Sequence, residues 1–179
     1  MVGHGDEARL IHINALCEKR RMLRDMSFIY QIDALGDEEI SLALPLIQVT
    51  WPVVDLPLWR KFVKESRFDE CSAQSGILVL RDTDHYLTGL LAYRVEHDLL
   101  HGAVLSVPLL TVVDLGNALP VVRAMVDAAE LRATILGCDH LRITIHPEQA
   151  GLGTRLRRIG MVAEGRQFHR PVAQETARH

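Results

Sequence analysis

The fold is decided by three consecutive segments: AVLSVPLLTVV (103–113), PVVRAMVDAAELRATIL (120–136) and HLRITI (140–145). The first and third are rich in β-branched and aliphatic residues, a composition typical of strands. The middle segment has apolar residues at helical spacing, starts with Pro120, and is followed by Gly137, which can adopt the left-handed conformation that ends a helix. A helix between two strands of one sheet makes them parallel neighbours joined by a right-handed crossover. These segments therefore predict a βαβ unit.

Two further strands precede this unit. Ile77–Leu80 and Tyr86–Val95 are β-rich runs separated by a polar loop, which predicts an antiparallel hairpin. Together with Ala103–Val113 they form a three-stranded meander. Gly89 and Pro108 indicate bulges or edges within it.

The N-terminal part of the chain predicts a strand and three helices. Asp6–Asp25 is an amphipathic helix whose face of Leu10, Ile13 and Leu16 should pack on the body of the protein or on a second subunit in a homodimer. Ser27–Leu35 is a strand. A helix from about Glu38 to Thr50 should be kinked or divided by Pro45, and another helix covers Leu56–Arg67.

At the C-terminal end, Gly151–Ile159 predicts a short basic helix and Met161–Val172 a last strand. The predicted organisation is a helical extension at 1–26, one α/β domain at 27–172 and a flexible tail at 173–179.

Composition excludes several classes of protein. The 179 residues are 48% hydrophobic, enough for one domain, and a net charge of −3 makes nucleic acid a poor partner. Cys17, Cys71 and Cys138 are odd in number and form no CxxC pair, so we expect no disulfide framework and a reducing cytoplasm. No run reaches the roughly 18 apolar residues of a membrane span. We expect a soluble, cytoplasmic protein.

The order of predicted elements resembles that of the GCN5-related N-acetyltransferases. Tyr86-Leu-Thr-Gly89-Leu-Leu-Ala is similar to that family's third strand. Leu156-Arg-Arg-Ile-Gly160-Met161-Val162 is similar to its closing helix-to-strand turn, with Met161 in place of the usual phenylalanine. The resemblance implies an α/β (α+β) fold with a mixed, twisted sheet of about six strands flanked by helices. Two parallel strands of this sheet should splay at a cofactor cleft.

The resemblance also implies acetyl-CoA or another acyl-CoA as co-substrate, held by backbone N–H groups after the fourth strand. The family's pattern there is Gln or Arg, two residues, Gly, one residue, then Gly or Ala. Val113 replaces the Gln or Arg, Asp114 adds a negative charge and Pro120 removes an N–H donor, so we expect weak binding, micromolar or poorer. The implied contacts are with Val113, Leu115, Gly116, Asn117, Ala118 and Leu119.

The candidate catalytic residues are His146, Glu148 and Ser106. The first two follow the strand that should border the cleft, where they could accept a proton from a substrate amine, and Ser106 lies in the neighbouring strand. The position of the family's proton-donating tyrosine is occupied by Leu156, which cannot donate a proton. His97 and His101 are four residues apart outside a predicted helix and lack a third ligand, so we expect no metal site.

Three functions remain open from the sequence. The first is an acyltransferase that moves an acetyl or other acyl group from acyl-CoA to an amine of a small-molecule or protein acceptor. The second is a degenerate, non-catalytic domain that binds a ligand or a protein. The third is an acyltransferase that takes its acyl group from an acyl carrier protein.

Overall fold

The computed structural model describes residues 30–67, 74–113 and 118–165. Within them the chain forms one mixed sheet in the order β1-β2-β3-β4-β5. Its neighbours are antiparallel from β1 to β4, whereas β4 and β5 are parallel. The strands are β1 (Gln31–Ala34), β2 (Ser75–Arg81), β3 (Leu87–Asp98), β4 (Gly102–Val112) and β5 (His140–Ile143). The predicted meander and the parallel βαβ unit are confirmed.

Four α-helices lie within these described ranges. They are α1 (Leu44–Gln48), α2 (Leu56–Ser66), α3 (Leu119–Ile135) and α4 (Ala150–Arg158). Pro45 divides the predicted helix Glu38–Thr50, since a 3-10 turn at Asp37–Glu39 comes first and α1 starts one residue before the proline. In the part of the chain that the structure describes, no helix has both the length and the apolar composition to cross a membrane.

Each face of the sheet carries its own core because side chains alternate along a strand. Leu80, Leu91 and Leu105 are buried on the face that α3 and α4 cover. Val79 and Leu90 are buried on the other face, which α1 and α2 cover. The sheet is therefore a middle layer between two pairs of helices.

The irregularities predicted at Gly89 and Pro108 are confirmed as β-bulges. Leu80 pairs with Gly89 but Arg81 pairs with Leu87, so Thr88 is an extra residue in β3. In β4, Val107 and Pro108 together lie opposite one residue of β3. Such bulges change the direction of a strand and often adjoin functional sites.

The described residues contain five strands, where about six were expected. Of the predicted last strand, Met161–Val172, residues 161–165 are not in a strand, and residues 166–172 lie outside the described residues. The chain turns at Gly160, which has a φ of +96°, and the Met161 N–H donates to the Leu156 carbonyl, closing α4 instead of starting a ladder. The predicted helix Asp6–Asp25 and the tail 173–179 also lie outside the described residues.

Candidate active site

The parallel strands β4 and β5 separate halfway along β4. Their pairing runs from Val104 opposite His140 to Val107 opposite Ile143, and ends with a hydrogen bond from the Thr144 N–H to the Val107 carbonyl, 2.9 Å. The next residue of β4 is Pro108, which has no N–H, and its ring favours the bulge found there. From Leu109 to Val112, β4 has no β5 partner. We call this opening the β4–β5 split. It confirms that these strands splay.

The side chain of Gln149 spans the β4–β5 split. It lies in the 3-10 turn Pro147–Gln149 that follows β5. Its Nε2 donates to the Leu110 carbonyl of β4 at 2.7 Å, and its Oε1 accepts from the His146 N–H at 3.1 Å. One carboxamide therefore fixes the exit of β5 against the unpaired part of β4. Gln149 was not among the sequence candidates, although a glutamine three residues after the N-cap residue, here His146, is typical of a capping box.

The segment after α1 forms one wall of the split. The Thr50 hydroxyl lies 3.1 Å from that of Thr111 in β4 and 3.5 Å from Gln149 Nε2. The ring of Trp51 meets the His146 imidazole edge-on, with ring centroids 5.1 Å apart. The end of β4, the exit of β5 and the α1–α2 connection therefore meet at one place.

The structure brings two of the three catalytic candidates to this place. His146 is exposed and contacts Trp51, and Glu148 is exposed in the same turn. Ser106 lies earlier in β4, in register with Arg142 of β5 and Arg94 of β3, and is only 5% exposed. Since Ser106 belongs to the paired part of β4, it lies before the split begins.

The described cofactor candidates lie where β4 leads into α3. Val113 is half-buried, and its N–H donates to the Thr88 carbonyl at 2.9 Å. Ala118 immediately precedes α3, provides no side-chain cap, and is followed by Leu119 and by Pro120 in the first turn. No acidic residue lies in that turn. The N-terminal end of a helix favours an anionic group, although Pro120 provides no N–H. Leu115, Gly116 and Asn117 lie outside the described residues.

The residue at the position of the family's tyrosine is buried. Leu156, in α4, is 6% exposed and belongs to the core between α3, α4 and the sheet. Its role is in packing, so a proton for a leaving group would have to come from elsewhere.

A cluster of charged and imidazole groups lies at the other end of β4, where the β3–β4 hairpin turns. The Arg142 guanidinium donates to Asp98 and lies 3.8 Å from Glu96. His101 Nδ1 lies 3.2 Å from Asp98, and the His101 and His140 rings are in edge contact at 4.6 Å. Among the described residues, no group of three His, Cys, Asp or Glu side chains could hold a metal ion. This hairpin-end cluster (Glu96, Asp98, His101, His140 and Arg142) links the hairpin to β5.

The contacts of the hairpin-end cluster predict how the melting temperature depends on pH. The hydrogen bond from Arg142, followed by the backbone N–H of Leu100, holds the pKa of the Asp98 carboxyl well below its ordinary value. A carboxyl whose pKa is lowered by folding stabilises the protein above about pH 4 and loses that effect as the pH falls further. Asp98→Asn should therefore lower the melting temperature at pH 7, by a difference that shrinks progressively below about pH 4. Melting curves from pH 7 to pH 2.5 measure this.

Asp84→Asn is the matched control, because Asp84 lies exposed in the β2–β3 loop. It should melt like the wild type across the range. A pH-independent difference for Asp98→Asn would contradict the prediction.

Comparison with known proteins shows similarity in fold. No protein-family model matches the sequence, and no curated protein matches it. Aminoglycoside N-acetyltransferase AAC(6')-Iy, solved in complex with CoA, is 14% identical, with a TM-score of 0.65 over 80% of this chain and 95% of that one. AAC(6')-Ih from Acinetobacter baumannii is 12% identical, with a TM-score of 0.66 over 81% and 99%.

A plant enzyme shows the same similarity. Glucosamine-6-phosphate N-acetyltransferase from Arabidopsis thaliana is 16% identical, with a TM-score of 0.58 over 80% of this chain and 99% of that one. The chain therefore has the fold of the GCN5-related N-acetyltransferases and resembles a divergent member of that family.

Proposed function

We propose that this protein transfers an acetyl or other acyl group from acyl-CoA to an amine of an acceptor molecule. The observation that carries the proposal is the β4–β5 split, which opens at the end of β4 that leads to the start of α3. An extended arm with amide groups can pair with a free strand edge as another strand would. The similarity to structures of N-acetyltransferases, one of them solved with CoA, supports the same interpretation.

The residues around the split fit such a ligand. The Leu110 carbonyl, which accepts from Gln149, faces away from β3 at a point where β5 no longer pairs with β4, so an amide N–H could use the same acceptor. The start of α3 would face the phosphates, with Ala118 and Leu119 in contact. Leu115, Gly116 and Asn117 are the further contacts that the resemblance implies. The bound acyl-CoA supplies the thioester that is transferred.

The chain itself would have to remove a proton from the acceptor amine. His146 and Glu148 lie at the mouth of the split and are exposed to an entering molecule. We assign proton acceptance to His146, because its ring is held against Trp51 and its backbone against Gln149. The amine nitrogen forms the bond to the acyl carbon while the carbon–sulfur bond breaks. The thiolate takes its proton from water, since Leu156 has none to give.

Calorimetry tests this proposal directly. Acetyl-CoA and then longer acyl-CoAs are titrated into the protein, and release of free thiol is followed with aminoglycosides, amino sugars and peptide amines as acceptors. We expect a Kd in the micromolar range or poorer and thiol release with at least one amine class. No binding of CoA or its thioesters at millimolar concentration would favour the non-catalytic or carrier-protein alternatives.

Asp114→Asn should tighten acyl-CoA binding about tenfold, equal to about 1.4 kcal/mol. We place Asp114 close to the phosphates because it immediately precedes the predicted Leu115–Ala118 contacts, so removing its charge removes a repulsion. The change in Kd is measured by calorimetry at low salt, where the effect is greatest. Asp82→Asn, in the β2–β3 loop, is the control for the change in net charge. Equal Kd values for Asp114→Asn and the wild type would show that the phosphates bind elsewhere.

A further inference from the structure

A groove of about 610 Å³ lies between β1 and α3. Its wall on the sheet side includes Tyr30, Ile32 and the charged Asp33, and its wall on the helix side includes Leu131, Ile135 and the charged Arg132. β1 is the edge strand of the sheet opposite to β5, so this β1–α3 groove is distinct from the β4–β5 split. No residue of the candidate active site lines it.

Helix α3 has more apolar surface than the core covers. Its core stripe includes Val122, Met125 and Ala129, each no more than 1% exposed. A second apolar stripe recurs at intervals of three and four residues, and its last member, Ile135, is 65% exposed. The members of this second stripe are Ala128, Leu131 and Ile135. A helix on the surface of a domain normally needs only one stripe, so the second is expected to have a partner of its own.

The N-terminal segment of the same chain joins the body of the protein at this groove. Tyr30, which lines it, is the first described residue, so the preceding 29 residues connect to the body at the edge of the groove. Within them, Leu10, Ile13 and Leu16 repeat at helical spacing. The segment Asp6–Asp25 would span about 30 Å as a helix, against about 25 Å for α3. Residues 26–29 can extend roughly 13 Å, which is enough for the chain to turn back along α3.

We propose that residues 6–25 form a helix whose apolar face fills the β1–α3 groove of the same chain. Leu10, Ile13 and Leu16 then pack against the second stripe of α3, and Lys19, on the opposite side of the new helix, faces water. This arrangement covers the exposed edge of β1 as well, which protects it from pairing with another chain.

Hydrogen exchange on the full-length protein tests the proposal. In the wild type, the amides of residues 10–24 should exchange at least about tenfold more slowly than in an unstructured peptide of the same sequence. Ile13→Asp on the segment and Ile135→Lys in the groove should each reduce that protection by about tenfold or more. Ile135 is well exposed, so Ile135→Lys leaves the described core intact.

Each variant has a matched control next to it in the sequence. Asn14→Asp and Thr134→Lys introduce the same charges on polar positions and should leave the protection unchanged. An unprotected segment in the wild type would overturn the proposal. So would protection that survives Ile135→Lys while Ile13→Asp removes it, because the segment would then pack elsewhere.

Sedimentation velocity distinguishes two arrangements. In one, residues 6–25 occupy the groove of their own chain, and in the other they occupy the groove of a second subunit. A monomer that keeps the protection on dilution supports the proposal. A dimer that loses both its mass and the protection on dilution would assign the groove to a partner subunit and overturn it. None of these measurements involves acyl-CoA, so the result is independent of the proposed function.

Discussion

Replacing Trp59 by alanine is expected to lower the free energy of unfolding by about 3–5 kcal/mol. Trp59, in α2, is 1% exposed and stacks on Phe62 with ring centroids 5.8 Å apart. Its indole Nε1 donates to the Ile40 carbonyl at 2.7 Å, in the turn that leads into α1. The variant would leave a large cavity beneath the sheet and an unpaired carbonyl. Urea denaturation followed by circular dichroism measures the change.

Two further variants serve as controls for Trp59→Ala. Leu58→Ala removes a neighbouring apolar side chain that is 53% exposed and should change stability by about 0.5 kcal/mol or less. Trp59→Phe keeps an aromatic ring but loses the hydrogen bond, and should fall between the wild type and Trp59→Ala. A loss for Trp59→Ala no greater than that for Leu58→Ala would show that Trp59 does not support this face of the sheet.

Loss of the Trp59 side chain should also affect the candidate active site, because the turn that it holds leads through α1 to the wall of the split. Ile40 belongs to the turn before α1, and α1 leads directly to Thr50 and Trp51 at the wall of the β4–β5 split. A loosened α1 would therefore also loosen that wall. Thr111 donates to the Leu46 carbonyl of α1, which gives the wall a second attachment to β4.

The parts of the fold that were predicted from the sequence depend on local patterns. Helix α3 was predicted because its apolar period, Pro120 and Gly137 are all local signals, and the parallel arrangement of β4 and β5 followed from the helix between them. Pro45 was correctly placed at a break because its ring cannot be accommodated inside a helix. The last strand was not found among the described residues, because an alternating pattern does not state whether a partner strand lies beside it.

The parts of the site that the sequence missed depend on contacts between distant residues. Gln149 and Leu110 are 39 residues apart, and their contact follows from the register of β4 and β5, which no local pattern gives. The ion pair between Asp98 and Arg142 joins residues 44 apart for the same reason. His146 and Glu148 were placed at the mouth of the cleft from their position after β5, and the structure puts them in the turn beside the split.

Gln149→Glu should lower kcat/KM for acyl transfer by about 10- to 100-fold, equal to about 1.4–2.8 kcal/mol of transition-state stabilisation. The substitution keeps the length of the side chain and an oxygen that can accept from the His146 N–H. It replaces the Nε2 donor with an oxygen that faces the Leu110 carbonyl, so the two acceptors repel each other. The exit of β5 should then move away from β4 and displace His146 from its place beside Trp51. Initial rates of thiol release with the best acceptor measure the effect.

Three comparisons distinguish loss of position from loss of fold. Thermal melts should show that Gln149→Glu remains folded, because its side chain is at the surface of the split and outside both cores. Thr154→Ala, on the exposed side of α4, should keep wild-type activity. Gln149→Ala loses the bond to His146 as well, so its kcat/KM should be as low as that of Gln149→Glu or lower. If Gln149→Glu instead matches the wild type in kcat/KM, the carboxamide does not position His146, and the assignment of proton acceptance to that residue loses its structural support.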